Sequence, residues 1–293
     1  MPPDLQAALA TCTADPRRQA VLEVRDVSLS FGGVQALDAV SFDVVEHEVR
    51  SIIGPNGAGK SSMLNVINGL YEPQRGQIWL RGRRFDRMLP HLAARLGIAR
   101  TFQGLALFGR MSVLDNIMAG RNLRMRTGLL AQALRIGPAE REEIEHRRVA
   151  EEIIDFLEIQ AHRRTAVGQL SYGLQKRVDL GRALAMEPSI LLLDEPTAGM
   201  NLEEKQDMCR FILAANDEFG TTIVLIEHDM GVVMDISDRV VVLDHGRKIG
   251  DGTPEQVRND RAVIDAYLGV AHDSADDPSP PVPLRRAAPG VDG

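Results

Sequence analysis

Three observations in the 293-residue sequence predict an α/β fold, with an antiparallel β subdomain beside the core and an α-helical subdomain inserted into it. Alternating apolar residues between Val21 and Val44 read as antiparallel strands. The short apolar runs Val49–Ile53 and Ile190–Asp194 read as buried core strands, the second apolar throughout, as a parallel strand covered on both faces should be. Between those two runs, from Gln103 to about Met186, the pattern turns helical.

Composition narrows the function classes. Hydrophobic residues make up 44% of the chain and charged residues 26%, enough for a sizeable core with an ordinary soluble surface. The net charge of −7 argues against a general nucleic-acid binder, which would carry a basic excess. Two cysteines, Cys12 and Cys209, make no disulfide framework and suit a reducing compartment. No apolar run approaches the ~18 residues that would span a bilayer. The first fifteen residues hold Asp4 and Asp15 and lack a basic stretch before an apolar core, so they do not read as a secretory signal. A soluble chain is expected, with any membrane role supplied by a partner.

The elements follow in order. Residues 1–20 show no periodicity and are expected to form a loosely held extension. Leu22, Val24, Val27, Leu29 and Phe31, then Val40, Phe42 and Val44, alternate on either side of a turn at Gly32-Gly33. The strand Val49–Ile53 leads through a glycine-rich loop to residues Ser62–Ile67, which read as the start of a helix. Turn-rich residues 69–76 then lead to a short strand, Gln77–Leu80. Arg75, Arg81, Arg83, Arg84 and Arg87 make this stretch basic; without interleaved aromatics it reads as solvated surface. Pro138 followed by Glu140, Glu142 and Glu143 marks a helix start, and Val149, Ile153, Phe156 and Leu157 form one apolar stripe behind it. After Pro188 come the strand ending at Asp194, a helix marked by Met208, Phe211, Ile212, Ala215 and Phe219, and strands over Thr221–Ile226 and Arg239–Leu243. From His272 the chain carries five prolines and almost no large apolar residues, and disorder is expected. The expected organisation is an extension over 1–20, one domain over 21–269 with its helical subdomain at about 104–186, and a proline-rich tail over 270–293.

Gly54-Pro55-Asn56-Gly57-Ala58-Gly59-Lys60-Ser61-Ser62 fits the phosphate-cradling pattern G-x-x-x-x-G-K-[ST], in the strand–loop–helix context that the motif requires. The glycines let successive N–H groups of Asn56, Gly57, Ala58 and Gly59 turn inward, and the helix N-terminus adds its positive end. Lys60 is expected at the β- and γ-phosphates, and the Ser61 hydroxyl at one Mg²⁺ position. Ile190 to Leu193 followed by Asp194 and Glu195 forms a Walker B arrangement. There Asp194 can hold the metal opposite Ser61, and Glu195 can take a proton from an attacking water. GTPases usually position that water with Gln instead.

Leu170-Ser171-Tyr172-Gly173-Leu174-Gln175 resembles the signature motif of ATP-binding-cassette (ABC) ATPases, usually Leu-Ser-Gly-Gly-Gln. Phe102-Gln103 resembles the family's Q-loop and Ile226-Glu227-His228-Asp229 its switch region. Phe31 resembles the aromatic that stacks on adenine, although a strand-face core residue would serve as well there. The motifs run in the family's order from Val21 to Gly269. Phe31–Leu37, Gly97–Gln103, Ala198–Asn201, Glu227–Met234 and Val263–Gly269 are similar to the G-type ATP-binding subunit of the branched-chain amino acid uptake branch.

The resemblance implies a P-loop NTPase (RecA-like) core and ATP with Mg²⁺ as ligands. It implies catalytic roles for Glu195, His228 and Gln103, nucleotide contacts from Phe31, Asn56 to Ser62, Ser171 and Gly173, and metal contacts from Ser61, Gln103 and Asp194. Two such subunits would close head-to-tail, the Ser171 and Gly173 of one completing the site of the other. The partners implied are a second, homologous and non-identical ATPase subunit, two transmembrane permease subunits and, indirectly, a solute-binding protein, at the cytoplasmic face of the inner membrane. No nucleic acid is expected. The implied activity is ATP hydrolysis coupled to uptake of branched-chain or other hydrophobic amino acids or similar small solutes. Alternatives are import of urea, amides or aromatic acids, or a soluble ABC protein acting on DNA or ribosomes.

Three departures from the family pattern stand out. In the signature motif Tyr172 replaces the first glycine and Leu174 the glutamine; Asn201 stands where Asp is common; and Ser62 replaces a frequent Thr, a position that the P-loop pattern does not constrain. Asn201 with Glu204 three residues on also reads as a helix cap with a capping box.

Overall fold

The computed structural model describes residues 20–85, 87–125 and 138–273. Residues 1–19 of the extension expected over 1–20, with Cys12, and residues 274–293 of the tail expected over 270–293 lie outside the described residues.

The chain opens with two long antiparallel strands, β1 (Ala20–Phe31) and β2 (Val34–Val45). Gly32 (φ 52°) and Gly33 (φ 90°) make the turn between them, which needs positive φ at both positions. β3 (Val49–Ile53) runs into the glycine-rich loop and α1 (Lys60–Ile67). β4 (Arg75–Leu80) and β5 (Arg83–Phe85) complete a four-stranded antiparallel sheet of order β2-β1-β4-β5. Of the basic residues along this edge, Arg81 pairs with Glu46 at 3.7 Å and Arg87 with Glu72 at 3.1 Å, all four side chains more than half exposed.

Next come α2 (Pro90–Arg95), β6 (Ile98–Arg100) and a non-helical segment over 101–112, then α3 (Val113–Gly120), α4 (Pro138–Phe156) and α5 (Tyr172–Leu184). Among its described residues, the region expected to be helical opens with that non-helical segment and holds three α-helices and three short 3-10 turns. α3 and α5 approach so closely that a Cβ on Gly120 would lie 2.2 Å from the Arg182 carbonyl oxygen. Arg121, at the end of α3, is buried; it donates to the Ala185 carbonyl at 2.8 Å and to His146 Nδ1 at 3.1 Å.

The remaining elements are β7 (Ile190–Asp194), α6 (Leu202–Phe219), β8 (Thr222–Ile226), α7 (Met230–Ile236), β9 (Arg239–Asp244), β10 (Arg247–Gly252), α8 (Pro254–Arg258) and α9 (Arg261–Asp273). α9 continues past residue 269, where the domain was expected to end. The second sheet has the order β10-β9-β3-β8-β7-β6, with every pair parallel except β10 against β9. Every residue of β3, β7 and β8 is buried, because both faces of this sheet are covered.

One apolar layer joins the antiparallel sheet to the core through α1, whose Met63, Leu64, Val66 and Ile67 pack with Leu22, Val24 and Val241. A second layer packs α3, α4, α5 and α6 on the opposite face, through Ile117, Ile154, Val178 and Phe211. Burying each such large side chain contributes about 1.5–3 kcal/mol. The sheet direction has one consequence for function. β3, β6, β7 and β8 all point the same way, so the segments following Ile53, Arg100, Asp194 and Ile226 emerge at one edge, where ligands sit in open α/β sheets.

Candidate nucleotide site

The loop after β3 is pinned from both sides. A Cβ on Gly54 (φ 148°) would lie 2.0 Å from the Leu243 carbonyl oxygen, and one on Gly59 (φ 100°) 2.5 Å from the Ala36 carbonyl oxygen. Only glycine fits either place. Gly57 (φ 81°) instead meets nothing within 4 Å, so the middle of the loop borders open space. Asn56 and Gly57 are exposed, whereas Ala58 is buried under the loop. Lys60 opens α1 and folds back over the loop, its ammonium donating to the carbonyls of Gly54 at 2.7 Å and Pro55 at 2.9 Å. Burial pushes its pKa down, opposed by the Glu195 and Asp194 carboxylates. Ser61 lies exposed in the first turn and Ser62 half-buried beside it.

Asp194 ends β7 and is buried. Its Oδ2 accepts from Arg100 Nη2 at 2.9 Å, whereas its buried Oδ1 has no hydrogen-bond partner. Glu195 follows with a left-handed backbone, φ 50°, unusual for a non-glycine residue and costly by about 1–3 kcal/mol. Its N–H donates to the Ile226 carbonyl at 2.9 Å, tying β7 to β8 just below the site. Gln103 Nε2 donates to Glu195 Oε2 at 3.1 Å, and His228 Nδ1 stands 4.0 Å from the same oxygen. The ends of β6, β7 and β8 thus converge on one carboxylate oxygen.

Glu227, fully buried, holds this arrangement from behind. It accepts from the Thr197 hydroxyl at 2.6 Å and the Thr197 N–H at 3.0 Å through one oxygen, and from the His228 N–H at 3.2 Å through the other. Sequence reasoning passed over Glu227, Lys176 and Arg100. Glu227 and Arg100 lie beside motif residues, and only burial reveals their contacts.

Ser171 caps α5, its hydroxyl accepting from the Leu174 N–H at 3.4 Å. Gly173 is buried against Glu204, with a Cβ there falling 2.3 Å from Glu204 Oε1. Among the described residues neither shares a hydrogen bond with Gln103, Asp194, Glu195 or His228. Lys176 of the same helix does reach Glu195, through its backbone carbonyl. Tyr172 lies over Gly199, and Asn201 forms a capping box with Glu204 at the start of α6. Phe31 sits on the antiparallel sheet, 46% exposed and edge-on to Tyr71 with ring centroids 5.0 Å apart. That exposure separates it from the core residues of β1.

A glycine-rich loop leading into a helix, an acid pair at the end of the neighbouring parallel strand, and a capped helix in an inserted α-helical unit define a P-loop ATPase cassette. The family model "ABC transporter" matches residues 37–198, and the model "Branched-chain amino acid ATP-binding cassette transporter" matches residues 247–273. The chain belongs to the ABC transporter family, as an ATPase subunit of its branched-chain amino acid branch. It is 38% identical over 253 residues to LivG of Salmonella typhimurium, a high-affinity branched-chain amino acid transport ATP-binding protein, covering 86% of this chain and 99% of LivG. It is 39% identical over 251 residues to BraF of Pseudomonas aeruginosa, which has the same description, covering 86% of this chain and 98% of BraF. Among solved structures it resembles the ADP conformation of an ABC transporter cassette (TM-score 0.74, 30% identity, 85% of this chain and 99% of that one). It also resembles a dimeric post-hydrolysis cassette bound to ADP and Pi (TM-score 0.67, 27% identity, 80% and 98%). Among the described residues no helix is long and apolar enough to cross a membrane.

Proposed function

We propose that this chain hydrolyses ATP as the motor subunit of an importer for branched-chain or other hydrophobic amino acids or similar small solutes. The observation that carries the reading is the meeting of Gln103 and His228 at Glu195 Oε2, beside a P-loop whose lysine is already folded into place. The relatives named above supply the solute class.

Lys60 exchanges its loop carbonyls for the β- and γ-phosphates, and the N–H groups from Asn56 to Ser62 bind the same anions. Phe31, held edge-on by Tyr71, offers its exposed ring to the adenine. The residues also fit Mg²⁺. Asp194 Oδ1 is a buried carboxylate oxygen without a partner, Ser61 offers a hydroxyl and Gln103 an amide oxygen, a hard-oxygen set of the kind magnesium takes with phosphates. When bound, the metal neutralises charge on the β- and γ-phosphates. Glu195 accepts the proton of the attacking water, with Gln103 and His228 orienting water and γ-phosphate around it.

The helix-capping Ser171 and the buried Gly173 are read as the half-site offered to a second, homologous and non-identical ATPase subunit. Two permease subunits would dock near Gln103 and the helical subdomain at the cytoplasmic face of the membrane, fed by a solute-binding protein. In proteoliposomes carrying such a permease pair, this chain should drive ATP-dependent accumulation of labelled leucine, isoleucine or valine supplied with the binding protein. ATPase activity that instead follows ribosomes or DNA in co-sedimentation, with no uptake, would overturn the reading.

A further inference from the structure

Arg100 ends β6, three residues before Gln103, yet its side chain is only 5% exposed and that of its partner Asp194 only 4%. Its planar fork divides between two acceptors. Nη2 donates to Asp194 Oδ2 at 2.9 Å and Nη1 to Asn65 Oδ1 at 2.6 Å. Asn65 lies on α1, five residues beyond Lys60. The guanidinium lies 5.1 Å from the ring of Phe102, the residue just before Gln103. One buried cation therefore joins the helix behind the P-loop, the strand leading to Gln103 and the strand ending in the Walker B acid.

We propose that Arg100 is a positioning residue for the divalent cation. It holds Asp194 by Oδ2 so that Oδ1, buried and without a partner, is left oriented to ligate the metal. The inference rests on Asp194 being the metal ligand, as proposed above. Groups that hydrogen-bond a ligating carboxylate fix its orientation, and losing one typically costs 10–100-fold in metal affinity. Lysine is no substitute for the fork, because one ammonium cannot span Asn65 and Asp194 in a fixed plane.

The test separates metal binding from nucleotide binding. Nucleotide affinity is measured without metal, with a fluorescent ADP analogue in EDTA, and Mn²⁺ affinity by electron paramagnetic resonance on the ADP-bound chain. Arg100→Gln should weaken Mn²⁺ binding by about 10–100-fold while leaving metal-free nucleotide affinity unchanged. Arg100→Lys should fall between, and Asn65→Ala should weaken Mn²⁺ binding less than Arg100→Gln does. Unchanged or tighter Mn²⁺ binding in Arg100→Gln overturns the proposal, as does a parallel loss of metal-free nucleotide binding. If Arg100→Gln does not fold, unchanged Mn²⁺ binding in both Arg100→Lys and Asn65→Ala overturns it. Asp194→Asn distinguishes the two levels. If that variant keeps Mn²⁺ affinity, the ligand assignment itself fails; if it alone loses affinity, only the role of Arg100 fails.

Discussion

The ammonium of Lys176 donates a hydrogen bond to the backbone carbonyl of Glu195 across 3.1 Å. Lys176 is buried one turn into α5, the helix that Ser171 caps, with the ring of Tyr172 5.7 Å from its nitrogen. Glu195 is the residue with the left-handed backbone. The signature helix and the candidate base are thus bonded within one chain. Replacing Lys176 with Met removes this charge-assisted bond and leaves the carbonyl only the Ala198 N–H at 3.3 Å, at a cost of about 1.5 kcal/mol. Urea unfolding should show the loss as a lower midpoint at unchanged slope; an unshifted midpoint would mean that the bond contributes nothing.

Glu195→Gln keeps the shape of the side chain and removes only the proposed proton acceptor. Phosphate release should fall about 10²–10⁴-fold while ATP still binds, and ATP should shift the protein toward a paired species in light scattering. Undiminished turnover would rule out Glu195 as the base.

Lys60→Ala should fail at the earlier step. Charge-assisted hydrogen bonds contribute about 1.5–3 kcal/mol, so calorimetry should show ATP affinity reduced roughly tenfold or more. Affinity equal to the parent's would mean that Lys60 stays on Gly54 and Pro55 when nucleotide binds.

The loop glycines should rank by what surrounds them. Gly57→Ala faces open space and adds only left-handed strain, about 1–2 kcal/mol. Gly54→Ala adds a collision with backbone at 2.0 Å, which no side-chain rotation relieves. Its melting temperature should drop well below that of Gly57→Ala; the reverse order would contradict the loop geometry.

His146 gives the helical subdomain a pH dependence. Burial and the neighbouring Arg121 cation lower its pKa below the ordinary imidazole value of 6.5, and its Nδ1 must stay unprotonated to accept from Arg121. The unfolded chain therefore takes up the proton first as pH falls. The stability this imidazole contributes is complete above 6.5 and declines below it, until the depressed native value is reached. The difference in melting temperature between the parent and His146→Gln should be constant at alkaline pH and shrink on acidification. A difference independent of pH would exclude the effect.

The legible parts of the fold were those whose pattern is local. β3, β7 and β8 are continuous apolar runs because both their faces are covered, and the glycine loop announces itself by spacing. β10, Arg247-Lys248-Ile249-Gly250-Asp251-Gly252, carries no strand signal and exists through its ladder with β9. β6 is three residues long, too short for any periodicity. Within the site, Lys60, Asp194 and Glu195 stand in recognisable strings. Arg100 and Glu227 instead take their meaning from Asn65, Asp194 and Thr197, residues 30 or more positions away. Lys176 carries no local pattern that points to its contact with Glu195.

Gly173 lies against Glu204 Oε1, while the other oxygen of Glu204 accepts from the Asn201 N–H in the capping box of α6. This affects how genetic defects at the signature motif should be diagnosed. Alanine at 173 first displaces a carboxylate of its own chain and loosens the start of α6, before any neighbouring subunit is involved. An inactive Gly173→Ala chain therefore does not by itself identify a contact made across a dimer. Pairing the change with Glu204→Ala, which clears the space, assigns the injury: recovery places it inside the chain, and persistence places it on the facing nucleotide.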